Sequence, residues 1–241
     1  MKHADSAFRI PHSAFEWLPQ LLQTNDSIFP SGSYAHSFGL EGLVQLGQAA
    51  EPVAFAEFLR HQIAPALEHL ELPFVRLAHQ AAQDADAARL LELDERYGAM
   101  KGALELRQAS SRIGAQRLQM LQKLTPHPLL VRLEEERAAG RFFAHAAIVF
   151  GAQTAIGETP LEAALVGYYY QSLAALVSAA MKLIRMGQLA GQSLLTECLA
   201  QAGEVVARSQ LIDEADIGWF QPTLDIASAR HETAYSRIFI S

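Results

Sequence analysis

Apolar residues recur at intervals of three and four along most of the chain, which is the periodicity of helices that bury one face. Residues 53–78 show it clearly, with apolar side chains at Phe55, Phe58, Leu59, Ile63, Leu67, Leu70, Phe74 and Leu77. Pro65 and Pro73 fall within this stretch. Because proline lacks an amide donor and crowds the preceding turn, we expect these two residues to kink or divide the helix.

Further stretches with helical spacing cover residues 84–101, 103–121, 142–156, 161–184 and 193–207. Ser110 and Gly114 lie on the inward seam of the second stretch, and such small residues predict the close approach of another helix. Thr159 and Pro160 are expected to begin the fourth stretch as its N-cap and first helical residue. The fourth stretch is apolar around most of its circumference, which predicts a central position or an oligomer interface.

The end of the chain lacks this regularity. Residues 221–241 mix polar and apolar side chains without sustained periodicity, and we expect them to form a flexible tail. No set of alternating apolar and polar positions predicts β-strands. The pattern therefore predicts an all-α fold, organised as a single compact domain over residues 1–241 with roughly eight to ten helices.

Composition narrows the class of protein. The 241 residues carry a formal net charge of −7, and 50% of them are hydrophobic. An acidic globular chain is a poor candidate for nucleic-acid binding, which favours a basic face. The single cysteine, Cys198, excludes an intrachain disulfide and fits a reducing compartment. No run approaches the roughly 18 apolar residues of a membrane span, so we expect a cytoplasmic protein without membrane contact.

The motifs of common catalytic and metal sites are absent from the sequence. It contains no G-x-x-x-x-G-K-[ST] phosphate loop and no G-x-S-x-G nucleophile elbow. None of the nine histidines forms H-x-H or H-E-x-x-H, the spacings that place two ligands on one face. We therefore expect no catalytic residue, no cofactor and no resident metal ion, and we expect that the chain is not an enzyme.

Two other interpretations concern the polar stretch between residues 25 and 42. Asp26, His36 and Ser37 lie near one another in sequence, as in a hydrolase, but proximity of common residues is weak support for a triad. The favoured interpretation is structural, with Asp26 accepting backbone bonds in a turn and Ser37 capping a helix that begins near Phe38. The alternative function is a nickel-carrying metallochaperone that binds the ion through histidines such as His36 and His231.

Four segments of the chain point to one family. They read LLQTNDSIFPSGSYAHSFGLEGLV from Leu18 onward, then LELRQASSRIGAQRLQML, then AAMKLIRMGQLAGQSLL, and finally PTLDIASARHETAYSRIFIS. In sequence and order they closely resemble the UreF family of urease accessory proteins. The resemblance implies an all-α homodimer without catalytic activity. It also implies a role in GTP-dependent nickel insertion into the urease apoprotein, in which UreF bridges the accessory protein UreD (UreH in some organisms) and the GTPase UreG.

The resemblance also assigns roles to residues near the N-terminus, after an extension of about residues 1–15. Tyr34 matches a tyrosine implicated in partner contacts, although it could equally pack under its own loop. Glu41 matches a glutamate implicated in binding UreG. Its alternative role is to favour a helix N-terminus through the macrodipole.

Further assignments fall on the segment MKLIRMGQ. Lys182 matches a lysine on the side that faces UreG, and its alternative role is that of a lysine extending its charge from an apolar helix into water. Gln188 completes the motif. Arg185 and Met186 stand where many relatives have proline and leucine, which predicts that the helix runs on further here.

The last assignments concern the dimer and the tail. Tyr170 matches a tyrosine of the dimer interface, with packing inside the chain as the alternative, and Val166 replaces an arginine found in some relatives. The tail, about residues 221–241, is implied to become ordered against UreD, and its alternative is to dock on its own helices. The tail residues assigned to partner binding are His231, Glu232, Tyr235 and Arg237.

Overall fold

The computed structural model describes residues 15–232, 234 and 237–240, and Tyr34 only by its backbone. Within these residues the chain forms helices and no strand, which confirms the all-α prediction. The helices are α1 (Trp17–Asn25), α2 (Leu40–Gln45), α3 (residues 52–83), α4 (Ala87–Met100), α5 (Leu104–Leu124), α6 (Pro128–Ala138), α7 (Ala146–Ile156), α8 (Leu161–Leu183), α9 (Gln188–Leu199), α10 (Ala202–Gln210) and α11 (Pro222–His231). The predicted extension, residues 1–15, lies outside the described residues except for Phe15.

Helix α3 passes through both of its prolines, so the expected division does not occur. A π-helical turn at Leu59–Ile63 precedes Pro65, and a second at Leu67–Glu71 precedes Pro73. A π turn shifts the bonding partner by one residue and so accommodates the missing amide donor. The helix therefore continues as one element, and only its pattern of backbone hydrogen bonds changes at these two points.

Helix α7 lies between α5 and the C-terminal part of α3, and small residues bring the three helices close together. A Cβ atom on Gly151 would lie 2.5 Å from a backbone carbonyl oxygen of α3, and one on Gly114 would overlap the carbonyl oxygen of Ala144. Ser110 Oγ accepts a hydrogen bond of 3.2 Å from Ala146 N. The prediction that Ser110 and Gly114 admit a close neighbour is confirmed.

The start of α7 is set by Asp94 on α4, not by local sequence. The Asp94 carboxylate accepts three backbone N–H bonds, of 2.6 to 3.1 Å, from the residues just before the helix. These bonds hold an irregular segment in which Ala144 has a φ of 58°. The helix consequently begins at Ala146, four residues after the predicted start at Phe142.

Other predicted helix ends also shift. Helix α8 has Pro160 as its N-cap, so Pro160 is one position outside the helix and Thr159 is not the cap. The same helix ends at Leu183, and Ile184 is extended, so the helix does not run on through Arg185. The stretch predicted as one helix over residues 193–207 forms two, α9 and α10, with a break near Gln201.

Helix α8 occupies a central position, as its apolar circumference predicted. Its buried residues include Leu165, Tyr169, Leu173 and Val177. Contacts with α1, α3, α7, α9 and α10 surround it. Within the described part of the chain, no helix is long and apolar enough to cross a lipid bilayer.

The buried ring of His145 makes the stability of the fold depend on pH. Burial, followed by the nearby charge of Lys101, lowers the pKa of His145 from 6.5 to about 4. The folded protein therefore keeps this imidazole neutral at pH values where the unfolded chain would protonate it. The stability that His145 contributes is complete above its unfolded pKa and is lost as the pH falls toward its folded pKa.

We predict that the difference in unfolding free energy between the wild type and His145→Phe changes by about 2 kcal/mol between pH 7 and pH 5, with the wild type losing more. The difference removes the contributions of other titrating groups, including Asp94, whose pKa burial raises to about 7. Urea unfolding followed by circular dichroism measures both proteins. A difference that stays constant with pH would contradict the prediction.

Candidate partner-binding site

The loop between α1 and α2, here called the signature loop (residues 26–39), has a tightly specified backbone. Gly32 and Gly39 adopt φ values of 80° and 84°, a region that favours glycine. Between them Ser33–Ala35 form a single 3₁₀ turn. A Cβ atom on Gly39 would lie 2.5 Å from Ser228 Oγ on α11, so the glycine is required by both its dihedral angles and its neighbour.

Polar side chains of the signature loop have structural roles. Asp26 Oδ1 accepts a 2.9 Å bond from the N–H of Ile28, which closes a turn. Ser37 is fully buried, and its Oγ accepts a 3.2 Å bond from Glu41 N at the start of α2. These contacts confirm the predicted turn at Asp26. Helix α2 begins at Leu40 with Gly39 as its N-cap, so Ser37 is not the cap residue, although its hydroxyl accepts from an N–H of the first turn. A buried serine bonded in this way gives the hydrolase interpretation no support.

Helix α11 lies directly against α2. A Cβ atom on Gly42 would lie 2.5 Å from the carbonyl oxygen of Ala227, so only glycine permits this approach. The sequence pattern indicated no helix after residue 220, whereas Pro222–His231 is helical. Its packing on α2 explains the difference, because tertiary contact stabilises a short helix whose own periodicity is weak.

The chain after α11 returns to the signature loop. We call residues 237–240 the C-terminal strip. Glu41 accepts two backbone bonds from it, 2.7 Å from Ile238 N to Oε1 and 2.9 Å from Phe239 N to Oε2. Ile240 N donates to the carbonyl oxygen of Ala35 at 2.9 Å. One buried carboxylate and one loop carbonyl thus hold the strip in place.

A buried charge cluster lies beneath the strip. His231 is fully buried, with Nδ1 3.0 Å from Glu105 Oε2 and Nε2 3.1 Å from Glu41 Oε2. The second contact is close but lacks the alignment of a hydrogen bond. Arg237 Nη1 lies 3.3 Å from Glu105 Oε1. Buried charges persist only when they are paired, so α2, α5, α11 and the strip are tied together at this point.

The structure brings together four of the residues assigned by resemblance. Glu41, His231 and Arg237 belong to the charge cluster, and Lys182 on α8 places its Nζ 5.3 Å from the centre of the Phe239 ring. Gln188 and Glu232 are exposed. The side chain of Tyr34 and all of Tyr235 lie outside the described residues.

Tyr170 belongs to a different surface. It lies twelve positions before Lys182 on α8, a distance of about 18 Å along the helix axis. Tyr170 is 40% exposed and Val166, one turn earlier, is 39% exposed. These two residues are exposed apolar positions on a helix whose other apolar side chains are mostly buried or partly buried.

Sequence reasoning assigned no role to Glu105, which contacts both His231 and Arg237. The residue lies in a segment that carried the family resemblance, but its spacing marks it only as one more charged position near a helix start. Buried glutamates usually have partners, and the partners of Glu105 lie 126 and 132 residues away. No local pattern could have identified them.

The described residues contain no group of three or more His, Cys, Asp or Glu side chains arranged to hold a metal ion. Both ring nitrogens of His231 face carboxylate oxygens of the chain itself. His36 is buried with its ring 6.4 Å from that of Phe38, and burial, followed by the charge of Arg112, lowers its pKa. The two histidines named for a metallochaperone therefore have structural roles, His231 as a partner of carboxylates and His36 as a packed ring of the signature loop.

We predict that Glu41→Ala releases the C-terminal strip while α11 stays folded. The substitution leaves two backbone N–H groups without their acceptor. A hydrogen bond to a charged group is strong enough to slow hydrogen exchange of the donating amide by about tenfold or more. Hydrogen exchange at Ile238 and Phe239 should accelerate accordingly, and Glu51→Ala, an exposed glutamate before α3, is the matched control. Equal exchange rates in all three proteins would show that Glu41 does not hold the strip.

Comparison with known proteins identifies the family of the chain. The UreF family model matches residues 50–199. The chain is 32% identical over 228 residues to the urease accessory protein UreF of Bacillus sp. (strain TB-90), covering 93% of this chain and 99% of that protein. The UreF proteins of Marinomonas sp. (strain MWYL1) and Streptococcus salivarius (strain 57.I) are 31% and 27% identical, with 93% and 92% of this chain and 94% of each relative covered. The chain belongs to the UreF family of urease accessory proteins.

Proposed function

We propose that this protein is a non-catalytic scaffold that bridges UreD (UreH) and the GTPase UreG during GTP-dependent nickel insertion into the urease apoprotein. The observation that supports this most directly is the sharing of Glu41. Its carboxylate bonds to the C-terminal strip, which the family resemblance assigns to UreD, while Glu41 itself is assigned to UreG. A single side chain therefore connects the two proposed partner surfaces.

This connection gives the scaffold a physical means of coupling its partners. A protein that draws the strip away from Glu41 removes two hydrogen bonds and the contact between the charge of Lys182 and the ring of Phe239. A protein that instead holds the strip in place stabilises the surface around both side chains. In both cases, a partner bound to the strip changes the affinity of the region around Glu41 for a second partner. By the same coupling, the second partner changes the affinity of the strip for the first.

The strip also has apolar area to offer a partner. Ile238 and Ile240 are exposed, while Phe239 is buried. Burial of two isoleucine side chains in a partner groove favours binding at about 25 cal/mol per Å², which offsets part of the cost of ordering neighbouring residues. The exposed side chains of Tyr170 and Val166 support a second proposal, a homodimer formed through α8.

We predict that Arg237→Ala, or removal of the last ten residues, weakens UreD binding by about tenfold because the strip loses its link to Glu105. Lys182→Ala should leave UreD binding intact and impair UreG recruitment. Pull-down with purified UreD, followed by addition of UreG and GTP, separates the two effects. Circular dichroism should show unchanged helicity in all variants.

Lys123→Ala provides the matched control for these variants. Lys123 is exposed at the far end of α5, about 27 Å along the helix from Glu105. Its loss should leave both binding steps unchanged. If the truncated chain retains UreD as well as the wild type does, the strip is not the UreD contact.

We predict that Tyr170→Asp converts a dimer to a monomer, because a carboxylate buried at the centre of an interface is costly when unpaired. Light scattering after size exclusion measures the mass of each variant. Val131→Asp, at an exposed valine on α6, is the control and should remain dimeric. A dimeric Tyr170→Asp protein would remove α8 from the interface.

A further inference from the structure

The segment between α10 and α11 is anchored firmly yet exposes aromatic side chains. Gly218 N donates 3.0 Å to the carbonyl oxygen of His69, the group left without its usual donor by Pro73. Gln221 Nε2 donates 2.7 Å to the carbonyl oxygen of Gln62, and Trp219 stacks on the His69 ring at 5.4 Å. The π turns of α3 thus provide the acceptors that fix this segment. Phe220, between the anchors, is 81% exposed.

A further apolar side chain lies beside these aromatics. Met100, Trp219 and Phe220 line one shallow cleft. Asp225 lines the cavity next to it together with Met100 and Trp219, and its Oδ2 would lie 3.1 Å from a Cβ on Gly102. We call this patch, with Asp225 at its edge, the Trp219 surface (Met100, Trp219, Phe220 and Asp225).

A partly open cavity of about 160 Å³ lies beneath the Trp219 surface. Its walls are mainly apolar, and the charge of the Glu71 carboxylate in its wall is already neutralised. Lys101 Nζ donates 2.7 Å to Glu71, and the hydroxyls of Tyr97 and Tyr168 also donate to this carboxylate. Burial alone would raise the pKa of Glu71, but Lys101 and the tyrosines outweigh burial and lower it. The Glu71 group therefore needs no further cation.

The charge at the edge of the surface is acidic. Asp225 lines the cavity together with Met100 and Trp219, and within the described part of the chain no ion pair forms at its carboxylate. The nearby Lys101 is already bound to Glu71, and the guanidinium of Arg107 donates to the carbonyl oxygen of Lys101. An apolar centre is thus bordered by a carboxylate without an ion pair.

We propose that the Trp219 surface binds a basic, amphipathic segment of a partner protein. An apolar side chain of that segment packs between Trp219 and Phe220 and reaches toward the cavity. A lysine or arginine beside it pairs with Asp225. Aromatic anchors with a charged border are typical of the energetic centre of protein interfaces. The proposal rests on the proposed function, because it assigns this partner to the UreD–UreG assembly.

The surface is distinct from the charge cluster although both use α11. Asp225 lies near the start of that helix, and His231 lies at its end, about 9 Å further along the axis. A change at Phe220 or Asp225 therefore need not disturb the C-terminal strip. Hydrogen exchange at Ile238 and Phe239 reports directly whether it does.

The test compares binding of the wild type, Phe220→Ser and Asp225→Lys to purified, co-expressed UreD–UreG by biolayer interferometry. Phe220→Ser should weaken the affinity by about tenfold or more. Asp225→Lys should weaken it and also reduce its dependence on salt between about 50 and 300 mM, because an attractive ion pair is lost. Val53→Ser and Asp84→Lys, at exposed positions in the first turn of α3 and just after its last residue, are matched controls and should bind like the wild type.

The outcomes separate this inference from the function on which it rests. If the wild type does not bind UreD–UreG, both fail. If the wild type binds, and both variants bind equally well with the same salt dependence, the Trp219 surface is not a docking site. If the variants instead change only the mass of the isolated chain in light scattering, the occupant is a second copy and the proposal is overturned.

Discussion

The Glu41 carboxylate, buried between α2, α11 and the C-terminal strip, is the interaction on which the arrangement of the site depends. It accepts two backbone bonds from the strip and lies 3.1 Å from His231, which in turn contacts Glu105. A buried carboxylate is costly unless its oxygens are satisfied, and here the satisfying groups come from the strip and from α11, both far from Glu41 in the sequence. The charge thus requires these distant segments to meet.

Two other buried carboxylates work in the same way. Asp94 gathers three N–H groups ahead of α7, and Glu71 accepts from Lys101, Tyr97 and Tyr168. Each joins segments that are remote in sequence. Asp94 fixes the irregular backbone before α7, whereas Glu71 joins α3, α4 and α8 through side chains. Apolar stripes bring the helices together, while Glu41 and Asp94 set where the irregular segments lie between them.

The charge cluster and the Trp219 surface share one helix. Helix α11 contributes His231 to the charge cluster and Asp225 to the Trp219 surface, and it packs on the signature loop and α2 through Gly39 and Gly42. The scaffold function proposed above requires surfaces held in fixed relation to one another. A short helix with glycine contacts on one side supplies that relation.

Sequence by itself determined the all-α class, the central position of α8 and the close packing at Ser110 and Gly114. The spacing of apolar residues and the size of a side chain can both be read from neighbouring positions in the chain. Resemblance supplied the partner roles. Only the tertiary structure decided that α3 passes through Pro65 and Pro73, that residues 222–231 are helical, and that Glu105 meets His231. Those outcomes depend on acceptors and charges more than a hundred residues distant, or on a π turn, and neither leaves a periodic signal in the chain.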